Sequence, residues 1–160
     1  MSDLKAMSHD DFRHYVLTRY ASLFPPDFKV AQQKSYGLQY LPQCESGWHD
    51  LIDEALQRIE AYLRERGWLG RAFVRQVKEK FGSLRIHVRP DDDSAWPDEV
   101  AEGVASIRIE IESRSDKTCE VCGRPGQIEV VDHYHQCLCP EHHAKRLRWV
   151  AEGRPDRDWR

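Results

Sequence analysis

Residues 119–123 read Cys-Glu-Val-Cys-Gly, and residues 138–142 read Leu-Cys-Pro-Glu-His. Each stretch sets two metal-binding side chains three positions apart, and 16 residues separate Cys122 from Cys139. Both sulfurs of the first pair can lie about 2.3 Å from one ion only if the chain turns tightly, which the glycine after the second cysteine permits. The sequence therefore predicts a zinc site made of Cys119, Cys122, Cys139 and His142. Because four protein ligands fill the coordination sphere, we expect a structural rather than a catalytic ion.

The remaining cysteines bear on this assignment. The chain has five, an odd number that excludes a complete disulfide framework and favours thiols or metal ligands. Cys137 lies two residues before Cys139 and would share its face on a strand, so Cys137 with Cys139 or His135 is an alternative ligand set. Cys44 stands apart, and its place near the start of a predicted helix suggests a lowered pKa.

The residues between and after the two pairs predict a small folded module. Residues 127–131 are typical of a strand, and residues 134–138 can return antiparallel to it. Pro140 suits the first turn of a helix that continues through Val150. A knuckle, a hairpin and a helix together make a treble-clef-like finger, which we place at residues 114–152, followed by a flexible tail at residues 153–160.

Residues 1–113 predict an α+β body. Ser8 begins a capping pattern for a helix whose apolar stripe extends to Leu23, and residues 38–41 read as a short extended piece. Ser46 is the expected cap of a second helix that ends at Gly67. Residues 72–89 predict a β-hairpin with a turn at residues 82–83, and Pro97 starts a third helix.

Composition limits the class of protein. The chain has 160 residues, 32% of them charged, and a net charge of −3, which argues against a surface that is basic all over and grips nucleic acid. No apolar run approaches the roughly 20 residues of a membrane span, and the first residues lack the apolar core of a signal peptide. We therefore expect a cytoplasmic protein without membrane contact.

One segment is nevertheless basic. Between Arg71 and Arg89 the chain has six arginines and lysines against a single acid. Lys78 and Lys80 would project from the same face of a strand, and Arg85 lies on the returning strand, so the three could hold phosphates or an acidic protein surface. The alternative is a charged edge that prevents pairing between sheets.

Residues 132–135 read Asp-His-Tyr-His and suggest a nuclease. HNH endonucleases carry a similar element between two zinc-ligand pairs, and by that likeness His133 would be the base and Asp132 and His143 the ligands of a catalytic metal. Only three residues separate His135 from Cys139, which would leave Asp132 at a hairpin tip, too far from the helix start to share a metal with His143. We expect turn residues here rather than a catalytic centre.

Four stretches of the sequence resemble a family of uncharacterised phage and bacterial proteins. They are residues 44–48 with the helix after them, residues 77–85, and the two cysteine-containing stretches quoted at the start. The resemblance implies the ligand set Cys119, Cys122, Cys139 and His142, because Cys137 falls outside the family pattern, and it implies no activity.

Taken together, these patterns predict a non-enzymatic, zinc-containing interaction protein of phage or mobile-element type. Its expected partner is another protein, with an accessory, immunity or anti-defence role conceivable by association. The alternative is a nucleic-acid-binding protein, or a degenerate HNH-like nuclease, acting through the basic hairpin at residues 71–89.

Overall fold

The computed structural model describes residues 3–25, 41–91 and 95–160. Within these ranges the fold is α+β, as predicted, with four α-helices and two separate two-stranded antiparallel sheets. The helices are α1 (His9–Arg19), α2 (His49–Glu65), α3 (Asp98–Ser115) and α4 (Pro140–Ala151), and the strands are β1 (Ala72–Lys80), β2 (Ser83–Pro90), β3 (Gln127–Val131) and β4 (Tyr134–Leu138). The extended piece predicted at residues 38–41 lies, except for Leu41, outside the described residues.

Helix α1 begins at its predicted cap and ends earlier than predicted. The Ser8 hydroxyl oxygen accepts a hydrogen bond from the backbone N–H of Asp11 at 3.1 Å. The helix ends at Arg19 because the backbone of Tyr20 leaves the helical conformation, and a 3-10 turn then carries Leu23 into the core. The apolar stripe is therefore shared between a helix and a turn.

Helix α2 has the predicted end and a different start. Ser46 does not cap it: residues 46–48 form a 3-10 turn, α2 begins at His49, and its N-cap, Trp48, makes no side-chain cap bond. Gly67 follows the helix with φ of 72°, a conformation that glycine adopts without strain. The apolar side chains that α2 buries recur at helical spacing and so lie on one face of the helix: Leu51, Ile52, Ala55, Leu56, Ile59 and Leu63.

Strands β1 and β2 form the predicted hairpin. Lys80 pairs with Ser83, so Phe81 and Gly82 make the turn, one position earlier than predicted. Both edges of this sheet have partners: Gln43 bonds to β1 on one side, and side chains of α3 bond to the backbone of β2 on the other. Helix α3 starts at Asp98, with Pro97 as its N-cap rather than its first residue.

The C-terminal module has the predicted strand boundaries. Strands β3 and β4 are joined by a two-residue turn, Asp132-His133, and α4 starts at Pro140 with Cys139 as its N-cap. The module contacts the start of α2: the Trp48 indole N–H donates to the carbonyl of Thr118 at 2.8 Å, and Trp48 itself is fully buried. No helix in the described ranges combines the length and the apolar character that crossing a bilayer requires.

Candidate metal centre

Four side chains converge at the start of α4, and they are the four that the sequence singles out. Their ligand atoms all lie within 4.8 Å of one another, and they form a group that could hold a metal ion: Cys119, Cys122, Cys139 and His142. The sulfurs of Cys122 and Cys139 are 3.8 Å apart. The Nδ1 atom of His142 lies 3.2 Å from the Cys139 sulfur and 3.7 Å from that of Cys119. Ligand atoms of a tetrahedral zinc ion lie about 3.5–3.8 Å apart. The separations of 3.7 and 3.8 Å fall in this range, and the contact between Cys139 and His142 is shorter.

Local backbone structure positions the first pair. The carbonyl of Cys119 accepts a hydrogen bond from the N–H of Gly123 at 2.8 Å, and the N–H of Cys119 donates to the carbonyl of Arg124 at 2.7 Å. Gly123 has φ of 76°, which closes the turn at little steric cost. The knuckle geometry thus follows from the glycine that the sequence places after Cys122.

The second pair is positioned by the start of α4. Cys139 is the N-cap, in extended conformation, and His142 lies in the first turn, so both side chains point to the same end of the helix. Pro140 at the first helical position fixes this start, because its ring presets the helical φ. Proline has no backbone N–H to donate, and this costs nothing here because an N–H at the first helical position has no partner within the helix.

The site is mostly buried, so a cation would stabilise its thiolates. Cys119, Cys139 and His142 are buried, and Cys122 is half-buried. Burial raises the pKa of Cys119 to about 11, so its thiolate is stable here only beside a positive charge such as a metal ion. Burial also lowers the pKa of His142, which favours the neutral ring that binds metals.

Arg124 lies over the sulfurs. Its Nε donates to the Cys122 sulfur at 3.3 Å, and its Nη2 lies 3.6 Å from the Cys139 sulfur. Burial raises the pKa of Cys122, but hydrogen bonds led by that from Arg124 outweigh it and leave the pKa below its usual value. Glu141 holds the guanidinium in place through an ion pair of 2.6 Å.

Cys137, the alternative ligand, lies elsewhere. It is fully buried in the main hydrophobic core and is not part of the metal-binding group. The sequence expectation that Cys137 and Cys139 share a face is wrong, because β4 ends at Leu138 and Cys139 already belongs to the cap of α4. Burial raises the pKa of the Cys137 thiol to about 12, which keeps it protonated.

Cys44 is also unlike its prediction. Burial raises its pKa well above the usual value, and the charges of Glu120, Glu45 and Glu79 act in the same direction. A lowered pKa requires a helix N-terminus or a cation beside the sulfur. Acidic side chains surround this thiol instead.

The three basic residues are placed on the hairpin as predicted. Lys78 pairs directly with Arg85 across the strands, and Lys80 is two residues further along the same face. Arg85 already has an acidic partner within the chain, because its guanidinium lies 3.8 Å from the carboxylate of Glu112 on α3. Lys78 and Lys80 make no ion pair with any residue in the described ranges.

The residues that resemble a nuclease centre, Asp132, His133 and His143, do not come together, and Asp132 and His143 contact different side chains. Asp132 and His133 form the tip of the β3–β4 hairpin, and Asp132 makes an ion pair with Arg154. His143 lies on α4, with Nδ1 3.5 Å from the carboxylate of Glu129. Among the described residues they form no metal-binding group; the Cys3His cluster is the group of that kind.

The last residues of the chain reach the metal centre, a contact for which the sequence carries no signal. The Trp159 ring meets the His142 ring edge-on, with centroids 6.4 Å apart. Arg160 makes an ion pair with Glu45, and the Arg146 guanidinium lies between the rings of Tyr134 and Trp159. The residues predicted as a tail thus cover one side of the site.

No family model matches this chain, and searches of curated proteins and of solved structures give no match either. The geometry of the site and of the surface around it is therefore the basis for inferring a function.

Proposed function

We propose that this chain is a non-enzymatic interaction protein in which Cys119, Cys122, Cys139 and His142 hold one structural zinc ion. The observation that carries the proposal is the closed donor set. Four ligand atoms of the protein lie within 4.8 Å of one another, and three of the four residues are buried. Such a site leaves no open position for a substrate or a reactive water.

The surrounding elements support a treble-clef-like module. The first pair lies in a knuckle, the β3–β4 hairpin follows, and the second pair begins a helix. A module of this size has a small core of its own, and metal binding offsets that deficit. Zinc is favoured over other metals because three thiolates and one imidazole are a typical structural zinc set.

We propose another protein as the partner, in the phage or mobile-element setting that the motifs resemble. Supporting this, the described residues include large apolar side chains that remain exposed where the two hairpins meet, among them Phe81 and Val130. Exposed apolar groups that cluster mark sites of protein association.

Two measurements test the proposal. The purified, untagged chain should contain one zinc ion, lost in Cys139→Ser or His142→Ala and kept in Cys137→Ser. A nuclease-treated pull-down from the native host should then recover a protein partner in stoichiometric amount. A zinc-free chain, or zinc that survives His142→Ala, contradicts the site, and the absence of any stoichiometric protein contradicts the function.

A second candidate function is nucleic-acid binding through Lys78, Lys80 and Arg85, with cleavage as a further step if the nuclease-like residues act. Its supporting observation is that Lys78 and Arg85 are directly paired on one face of the hairpin. It requires affinity that falls steeply with salt and is lost when the three residues are replaced by alanine. Cleavage would further require an added divalent ion and loss of activity in His133→Ala.

A further inference from the structure

The tips of the first hairpin and of the second sheet form one exposed apolar surface, made of Phe81, Ile128, Val130 and His135 and called the tip surface below. The Phe81 side chain is 68% exposed and that of Val130 is 57% exposed. Both are large enough that their full burial would stabilise a complex substantially. Exposed apolar side chains from different elements come together here.

Contacts join the four residues. The rings of Phe81 and His135 meet edge-on, with centroids 5.7 Å apart, and His135 pairs with Val130 across β3 and β4. The turn also rests on Ile128: a Cβ added to Gly82 would lie 2.9 Å from the Ile128 Cγ2 atom. The tip surface is therefore continuous across two sheets rather than a set of scattered side chains.

Phe81 occupies a conformation that does not suit it. Its φ is 53°, in the left-handed region, and Gly82 follows with φ of 83°. A two-residue turn with both φ angles positive favours Asn-Gly, and a bulky residue at the first position is strained. The ring stays 68% exposed despite its edge-on contact with His135, so burial offsets little of this strain. A strained turn that presents an exposed aromatic ring points to a role in binding.

The rim of the tip surface is basic. Lys80 lies 5.8 Å from the centre of the Phe81 ring, and Lys78 is its neighbour on the same face; neither makes an ion pair within the described residues. The nearest acid in sequence, Glu79, is already engaged, because its carboxylate accepts hydrogen bonds from the Gly82 N–H at 2.7 Å and the Tyr134 hydroxyl at 3.2 Å. An incoming chain meets an apolar centre with Lys80 beside the Phe81 ring and Lys78 two residues away on the same face of β1.

We infer that the tip surface docks a protein segment in which acidic residues flank an apolar anchor. The apolar anchor covers Phe81 and Val130, and the acidic residues pair with Lys78 and Lys80. Aliphatic groups such as Ile128 and Val130 offer little to a nucleic acid, whose interfaces are more polar and gain from aromatic stacking. The inference rests on the proposed function, since it specifies the surface and the chemistry of the protein partner.

The test starts with a random peptide library displayed on yeast and selected against the full, zinc-loaded chain. The enriched peptides should combine Asp or Glu with an aromatic or aliphatic anchor. One of them, synthesised with a fluorescent label, is then titrated by anisotropy against variants. Phe81→Asn and the double change Lys78→Glu with Lys80→Glu should each weaken binding by about tenfold or more. Lys78→Arg with Lys80→Arg keeps the charge and should bind like wild type.

Ile109→Ser provides a matched control for Phe81→Asn, because Ile109 is an equally exposed apolar residue on α3. It should bind the peptide like wild type. Phe81→Asn should retain its zinc and melt at the same or a higher temperature, since asparagine tolerates the left-handed conformation better than phenylalanine. Loss of binding in that variant is then a loss of contact rather than of folding.

Several results would overturn the inference. Peptides that bind the Phe81 and lysine variants as well as wild type would place the docking site elsewhere and leave the proposed protein-binding function standing. A selection with no enriched peptide would count against both. If the chain self-associates and Phe81→Asn abolishes this, the tip surface binds a second copy of the chain. If a 20-nucleotide single-stranded DNA probe binds wild type but not the lysine variants, the tip surface binds nucleic acid.

Discussion

Arg124 places a positive charge against the sulfurs of the candidate metal centre. With a zinc ion bound, three thiolates and Zn²⁺ would carry a net charge of −1, and the guanidinium that contacts the sulfurs of Cys122 and Cys139 would place a positive charge against them. Hydrogen bonds to ligand atoms orient them and tune their affinity for the metal. The ion pair with Glu141 holds Arg124 in position for both tasks.

Replacing this residue should weaken the site without removing a ligand. In Arg124→Ala we expect zinc affinity to fall by about 10–100-fold, the range found when groups that support ligands are removed. Competition with a chromogenic chelator measures the change. The control is Arg148→Ala, an exposed arginine further along α4. Equal affinity in Arg124→Ala and wild type would show that the guanidinium contributes no stabilisation.

At the residue scale, the sequence predicts those features that short patterns determine. The Ser8 cap, the glycine at the end of α2 and the turn at Gly123 each depend on two to four neighbouring residues, and all three are found. The predictions of a helix cap at Ser46 and of a lowered pKa at Cys44 are wrong, because groups distant in sequence determine the contacts of both residues. The Ser46 hydroxyl lies 3.5 Å from the carbonyl of Val121, and the pKa of Cys44 responds to acids brought near by folding.

At the scale of elements, helix α3 covers the free edge of β2 with side chains. The Ser115 hydroxyl oxygen accepts a hydrogen bond from the N–H of Leu84 at 2.9 Å, and a carboxylate oxygen of Glu112 accepts one from the N–H of Ile86 at 3.1 Å. Arg108 donates to the carbonyl of Ile86 at 2.9 Å. An open sheet edge would invite pairing with another chain, and these contacts close it.

Ser115→Ala tests the importance of this edge. Ser115 is fully buried, so the variant leaves the N–H of Leu84 buried without its acceptor. The free energy of unfolding should fall by about 1–3 kcal/mol, the cost of a buried unsatisfied donor. Urea unfolding of the zinc-loaded chain measures it. Ser113→Ala, exposed on the same helix, should change stability by far less. Equal values for the two variants would contradict the edge contact.

The limits of the strands are predicted best, because the alternation of apolar and polar residues and the turn residues specify them locally. The β3–β4 hairpin has the predicted limits, and the β1–β2 turn differs by one position. That difference places Phe81 in a left-handed conformation, which sequence propensity disfavours. The pairing of α3 with β2 could not be predicted, because it joins residues about 30 positions apart through side-chain contacts.

At the scale of the whole molecule, the knuckle and the start of α2 are in direct backbone contact. The N–H of Gly47 donates to the carbonyl of Glu120 at 2.7 Å, and the N–H of Glu45 donates to the Glu120 carboxylate at 3.1 Å. A Cβ on Gly47 would lie 2.3 Å from the carbonyl oxygen of Cys119. Only glycine lets the two segments approach this closely.

Gly47→Ala should therefore force the metal-binding knuckle away from α2. We expect the free energy of unfolding to fall by about 1–3 kcal/mol, as for other insertions into closely packed regions. Thermal unfolding of the zinc-loaded protein measures the loss. The neighbouring Ser46→Ala removes only a long hydrogen bond and serves as the control. A Gly47→Ala variant that unfolds like Ser46→Ala would mean that this contact does not couple knuckle and helix.

The sequence marks residues 119–142 as metal-binding but does not reveal what that site contacts. Contacts between Gly47 and the knuckle, or between Trp159 and His142, join segments more than 15 positions apart. Periodicity and motif spacing carry no information about such pairs. The ligands could be predicted because each pair is local, whereas their surroundings could not.

X-ray absorption at the zinc edge of the purified chain examines the closed Cys3His site directly. We predict one zinc ion with three sulfur neighbours at about 2.3 Å and one nitrogen at about 2.0–2.1 Å. A four-sulfur shell would bring Cys137 into the site, and an oxygen neighbour would mean an open position where water or substrate can bind. Either result would contradict a closed structural site formed by Cys119, Cys122, Cys139 and His142.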